Sequence, residues 1–166
     1  MLEKALKDQL RGIFAQLISK YTFDIGVDPR HESRQELLEL LEEVADCSDK
    51  IDCRVKVAEG LGFSLLKDGK DTGIKFRGVP TGHEFTSLLM ALLNSDGKGK
   101  NIPDEGIRKR ISDLKGPVRL TTYVSLTCTN CPDVVQALNV MAVLNPEITH
   151  EMVDGAIYQE EVEALK

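Results

Sequence analysis

The stretch Val118–Leu144 reads "VRLTTYVSLTCTNCPDVVQALNVMAVL", and two hydrophobic periods meet inside it. Val118, Leu120, Val124 and Leu126 alternate with Arg119, Thr121, Tyr123 and Ser125, the period of a strand with one buried face; Thr122 interrupts the apolar row only mildly. After Pro132, apolar residues fall almost all round a helix at Val134, Val135, Ala137, Leu138, Val140, Met141, Ala142 and Val143, which predicts burial on most sides. Asn145 and Pro146 stop that helix. A second strand near Ile148 makes the segment a parallel strand–helix–strand unit, which is nearly always right-handed. Cys128 and Cys131 stand where the strand period gives way to the helical one.

The same pattern occurs earlier in the chain. At an offset of 97 residues, Tyr21 meets Val118, Phe23 meets Leu120, Val27 meets Val124, and Leu37, Leu38, Leu41, Val44 and Ala45 meet Val134, Val135, Leu138, Met141 and Ala142 without a gap. Ile51 then meets Ile148 and Val55 meets Met152. A repeat of this kind outranks local propensity in assigning architecture. Each half reads as helix, strand, helix, strand, with leading helices at Glu3–Ser19 and Asp104–Leu114. The first half continues through two short strands, "FSLLKD" and "GIKFRG", turning through Gly69 to Gly73, into a helix from about Gly82 to Asn94. Strand–helix–strand followed by strand–strand–helix is the order of a thioredoxin fold. The expectation is an α/β chain of two tandem thioredoxin-like folds, residues 1–97 and 98–166. The offset puts the second closing hairpin and helix at 160–191, so with the chain ending at Lys166 the second fold is expected to be cut short before them.

Composition narrows the function. The chain has 166 residues, 42% hydrophobic and 29% charged, with a net charge of -6. That is the make-up of a globular protein, and no apolar run approaches the roughly 20 residues of a membrane span. The excess of acid opposes phosphate-backbone binding, which makes nucleic acid a poor partner. Arg108, Lys109 and Arg110 are interleaved with Asp104, Glu105 and Asp113 and read as a solvated helix face. The N-terminus mixes acids and bases on a helical period without the apolar core of a secretory signal, so a cytoplasmic location is expected.

Four cysteines are too few for a disulfide scaffold and point towards catalytic or metal-binding thiols. A structural zinc site needs four ligands, and Cys47 and Cys53, with five residues between them, are placed by the repeat at a helix end and in a strand, as packing residues. Cys128 and Cys131 align with His31 and Arg34, so one half carries a dithiol at the head of its helix and the other does not. The first half is therefore read as inert scaffold. A helix N-terminus stabilises a thiolate at Cys128, and the three-residue spacing puts Cys131 on the same face to close a disulfide. Redox exchange is the stronger reading, and an inert CxxC the bland one.

Thr81 and Glu84 precede the apolar run Leu88–Leu93 and read as a capping box. Thiol exchange also needs a proton acceptor near the buried sulfur, and the first strand of the second half offers only Thr121, Thr122 and Tyr123. Glu84, lent by the first half, is the candidate. His83 reads as a surface residue, His31 and His150 have no evident partners, and Tyr158 and Phe85 read as packing residues.

"SLTCTNCPDVVQALNVMAVLNP" together with "GHEFTSLLMALL" resembles the N-terminal domain of the alkyl hydroperoxide reductase F proteins, over nearly the whole chain. The resemblance implies two tandem thioredoxin folds, the second redox-active, ahead of a flavoprotein body that binds FAD and NADH. It implies that electrons pass from that body to Cys128 and Cys131 and on to a two-cysteine peroxiredoxin, the alkyl hydroperoxide reductase C component. Cys128 would be the attacking thiol, Cys131 the resolving one and Glu84 the acidic neighbour. No GxGxxG fingerprint is present, so this chain is expected to bind neither cofactor and not to oxidise NADH. The cis-proline loop that faces the CxxC in thioredoxin folds would lie beyond Lys166. A stand-alone glutaredoxin-like disulfide oxidoreductase and a non-catalytic docking module are the alternatives.

Overall fold

A computed structural model describes all residues, Met1–Lys166. Its elements in order are α1 (Lys4–Phe14), β1 (Tyr21–Val27), α2 (Arg34–Ala45), β2 (Ile51–Val57), β3 (Leu61–Lys67), β4 (Lys70–Arg77), a 3-10 turn (Gly82–Glu84), α3 (Phe85–Ser95), α4 (Glu105–Ser112), β5 (Val118–Val124), α5 (Cys131–Leu144), β6 (Ile148–Asp154) and α6 (Gln159–Ala164). The offset of 97 is visible in the boundaries themselves: β5 and β6 begin 97 residues after β1 and β2, and α5 begins 97 residues after α2.

The leading helices are shorter than their sequence pattern. Helix α1 stops at Phe14 and α4 spans only Glu105–Ser112. The residues after Phe14 turn back so that Asp96 can accept the Ile18 and Ser19 backbone N–H groups and the Tyr21 hydroxyl. The two strands after β2 are as expected, with a tighter reversal at Asp68–Gly69. The repeat fails after β6. Where the first half forms β3, the second half turns into α6, so residues 159–164 are helical and are not the start of a closing hairpin.

All six strands form one sheet in the order β2-β1-β3-β4-β6-β5. Strand β1 runs parallel to β2 and antiparallel to β3, and β3 is antiparallel to β4. The halves meet where β4 pairs with β6 in parallel, from Ile74 opposite His150 to Arg77 opposite Val153. Strand β5 pairs with β6 along its length.

Alternation then sorts the faces. In β1, Tyr21, Phe23, Ile25 and Val27 are buried, while Thr22, Asp24 and Gly26 are not. The buried set joins Leu10, Phe14, Leu37, Leu41, Val44, Phe63, Phe76, Leu88 and Leu92 in one core. The residues facing the other way are polar, and Asp24 pairs there with Arg54 and Lys56. Helix α5 lies across β4 and β6 and packs on α3, so it rests on elements from both halves. Its outer residues Val134 and Ala137 are exposed, so burial is less complete than the sequence implies. Helix α4 buries no residue, as expected of a solvated basic face. No helix is long and apolar enough to cross a membrane.

Candidate functional site

Strand β5 ends at Val124, and the chain turns at once, with the Cys128 N–H donating to the Ser125 carbonyl (2.9 Å). The turn delivers Cys131 to the first position of α5, with Pro132 next. A proline there is tolerated because first-turn N–H groups have no intrahelical partner. Cys128 and Cys131 are joined as a disulfide, their Cα atoms 5.6 Å apart. The Cys131 N–H donates to the Cys128 sulfur at 3.2 Å. Once the bond is reduced, that N–H and the positive end of the helix favour the thiolate over the thiol at Cys128. Cys128 is half-buried beside exposed Thr129 and Asn130, whereas Cys131 packs against the core.

Glu84 departs from the capping-box expectation. Thr81 makes no side-chain cap bond; instead the Glu84 N–H donates to the Thr81 carbonyl (3.1 Å), closing the 3-10 turn. The Glu84 side chain points inward, 0% exposed, and neither carboxylate oxygen has a hydrogen-bond partner. Burial pushes its carboxyl above the usual range, opposed only in part by the nearby Ser87 hydroxyl and the charge of His83. The turn that carries it packs on α5. It sits close to the loop before the cysteines: Gly82 has φ +58, and a Cβ there would lie 3.0 Å from the Leu126 carbonyl oxygen. A carboxylate from the first half and a dithiol from the second thus belong to one region. His83 beside it is exposed, as expected.

His150 corrects the sequence reading. Its Nδ1 lies 2.7 Å from the Asn139 amide oxygen and its Nε2 2.8 Å from the Thr122 hydroxyl. It is 1% exposed, and burial depresses its pKa to about 4, so the ring is neutral. His31 has a partner too, its Nδ1 accepting the Ser33 N–H at 3.1 Å. Tyr158, read as a packing residue, ties the halves together. Its hydroxyl accepts from the Leu61 N–H (2.9 Å) and donates to the Leu61 carbonyl (3.1 Å), while the Arg77 guanidinium lies 4.2 Å above its ring. Arg77 also pairs with Glu161. The other thiols are packing residues, as expected: Cys47 lies in the core and donates to the Glu43 carbonyl, while Cys53 packs against the core and burial pushes it up to about 12.

Neither parallel strand-to-helix turn, Asp28–Ser33 or Ser125–Asn130, contains a glycine. The close backbone approach that a dinucleotide pyrophosphate requires is missing from both, so neither turn fits the pyrophosphate of FAD or NADH.

No family model matches the chain. It is 42% identical over 166 residues to the F subunit of alkyl hydroperoxide reductase in Pseudomonas aeruginosa, covering 99% of this chain and 32% of that protein. The same-named protein of Staphylococcus epidermidis is 43% identical over 168 residues with the same coverage. The chain therefore spans about a third of the length of these curated relatives. Among solved structures, the N-terminal domain of alkyl hydroperoxide reductase F from Enterococcus faecalis superposes with a TM-score of 0.88 at 33% identity, over 99% of this chain and 85% of that one. A protein disulfide oxidoreductase from Aeropyrum pernix shares the fold, with a TM-score of 0.85 at 16% identity over 98% of this chain and 79% of that one.

Proposed function

The chain belongs to the alkyl hydroperoxide reductase F family, as its N-terminal domain, and from that premise we propose that it is a thiol–disulfide relay reducing the disulfide of a two-cysteine peroxiredoxin. The observation that carries the reading is the Cys128–Cys131 pair at the head of α5, in the same region as a buried carboxylate with no partner. An orphaned buried carboxylate costs stability, so its presence calls for a functional reason.

In the proposed cycle a dithiol of a flavoprotein body reduces the Cys128–Cys131 disulfide, becoming a disulfide itself. The Cys128 thiolate attacks one sulfur of the peroxiredoxin disulfide, whose S–S bond breaks; the departing sulfur leaves as a thiolate and takes a proton. Glu84 accepts the Cys131 proton. The Cys131 thiolate then attacks the Cys128 sulfur of the mixed disulfide, expelling the second peroxiredoxin thiolate, and Glu84 returns a proton. Two electrons and two protons have then moved to the peroxiredoxin.

FAD and NADH enter this reading only through the remainder of a longer protein, since the turns in this chain do not fit them. We assign residues 1–97 to an inert lobe and 98–166 to the redox lobe, a division supported by the shared element boundaries and the lone dithiol. A cytoplasmic location belongs to the same reading, supported by the free thiols Cys47 and Cys53.

The test is single-turnover reduction of an oxidised two-cysteine peroxiredoxin by the pre-reduced chain. Cys128→Ser is expected to abolish the reaction and Cys131→Ser to stall it as a mixed disulfide. Undiminished turnover by Cys128→Ser sinks the assignment.

A further inference from the structure

The buried carboxylate has one polar neighbour on its own helical path. Ser87 follows Glu84 by one helical turn, is 0% exposed, and lies where α3 packs on α5. Residues three apart on a helix share a face, so the two side chains are neighbours. From α5, the Gln136 amide donates to the Ser87 oxygen in a long contact of 3.4 Å. Gln136 is half-buried and lines a groove with Asn94, Lys100, Asn101, Asp133 and Ala137, so it stands between solvent and Ser87.

A hydroxyl donates one hydrogen and accepts at two sites. Here Ser87 accepts from Gln136, which leaves its own hydrogen free to be donated. Glu84, one turn away, has two oxygens that both lack a partner, and the Ser87 hydroxyl is among the groups that hold its carboxyl down. Few other groups compete for this role. Helix α3 carries no ionisable residue, and α5 carries only Cys131 and outward-facing Asp133. The charge of His83 acts on Glu84 from its own turn, and Lys100 lines the groove with Gln136.

We propose that Ser87, aligned by Gln136, is a positioning residue that turns its hydroxyl hydrogen onto the ionised Glu84 carboxylate and so sets the pH above which Cys131 can be deprotonated. The inference rests on the reading of Glu84 as proton acceptor. In the step concerned, Glu84 takes the Cys131 proton, Ser87 keeps its own, and no electron moves. A hydrogen bond to the ionised form favours that form. Removing the hydroxyl therefore makes Glu84 hold its proton to higher pH, and the acid limb of the resolving step moves upward.

The experiment uses the full pre-reduced chain and 5,5′-dithiobis(2-nitrobenzoate). Attack by Cys128 releases the first thionitrobenzoate, and resolution by Cys131 releases the second, so each variant carries its own reference phase. Glu84→Gln should slow the second phase and move its acid limb to the pH at which Cys131 ionises unaided. Ser87→Ala should move that limb up by about one pH unit, the scale of a hydrogen bond to a charged group. Ser87→Thr, which keeps a hydroxyl, should restore it. Gln136→Leu should move it in the same direction by less, and it decides the matter if Ser87→Ala does not fold. A limb that stays put in Ser87→Ala, or in Gln136→Leu where that variant decides, while Glu84→Gln moves it, overturns the role of Ser87 alone. A second phase unchanged in Glu84→Gln overturns the role of Glu84, and this inference with it.

Discussion

His31 and Cys128 stand at equivalent positions in the two halves, 97 residues apart, in the loop before a buried helix. Both side chains accept a backbone N–H from the approach to that helix: His31 Nδ1 from Ser33 and Cys128 Sγ from Cys131. The fold asks this position for an acceptor and does not ask for sulfur. The thiols are therefore an addition to a frame that is complete without them, which separates what folds the chain from what reacts.

The same separation runs through the interior. The first half owns the buried aromatic cluster, with Phe63 stacked on Phe76 at 5.1 Å and edge-on to Phe23 at 5.5 Å. The second half buries no aromatic residue. It carries instead the chain His150, Asn139 and Thr122, where the first half has Cys53, Glu42 and Ile25. One half holds the buried aromatic cluster and the other the buried histidine chain.

The largest test of that division is Phe63→Ala, which should cost about 3 to 5 kcal/mol in a denaturant titration, the scale for emptying a buried aromatic site. A loss below about 1 kcal/mol would break the comparison.

Acid should act next, and through the second half. The imidazole of His150 is depressed to about 4 in the fold against 6.5 outside it. Between those values the unfolded chain binds the proton and the folded chain does not. Stability from this residue is thus present above 6.5 and lost as pH falls towards 4, by up to about 3 kcal/mol. Hydrogen exchange should show β6 and α5 loosening first on acidification, and His150→Gln should flatten the dependence. Equal loosening of β1 and α2 would contradict it.

The smallest effect belongs to the seam. Tyr158→Phe leaves the Leu61 N–H and carbonyl without their partner and should cost about 1 to 2 kcal/mol in the same titration, on the usual scale for an unmade hydrogen bond. Gly60, at φ +70, has no room for a Cβ, which would lie 2.5 Å from the Tyr158 hydroxyl. A Gly60→Ala change should therefore reproduce the loss. Stability unchanged in both variants would mean that the Tyr158–Leu61 contact adds nothing to the β4–β6 ladder and the α5 packing that join the halves.

Much of this was legible in sequence because its causes are local or periodic. The 97-residue offset located the strands β1, β2, β5 and β6 and the starts of α2 and α5, since each element must repeat its buried face to bury it. Cys128 and Cys131 were legible for the same reason, their spacing and place at a helix head being properties of one short segment. Thr122, an interruption in an apolar row, was the one local hint of the His150 chain. Glu84 followed a capping pattern that was present in the residues but not realised, because its backbone N–H found the Thr81 carbonyl and the side chain turned inward.

The tertiary structure alone decided what depends on contacts between distant segments. It paired β4 with β6, brought the first half's Glu84 into the region of the second half's dithiol, set Tyr158 on Leu61, and replaced the expected strand after β6 with α6. The physical reason is the same in each case. A hydrophobic period states that a face must be buried and says nothing about which partner buries it. A polar side chain states what it can donate or accept, and only packing determines whether water or another residue answers.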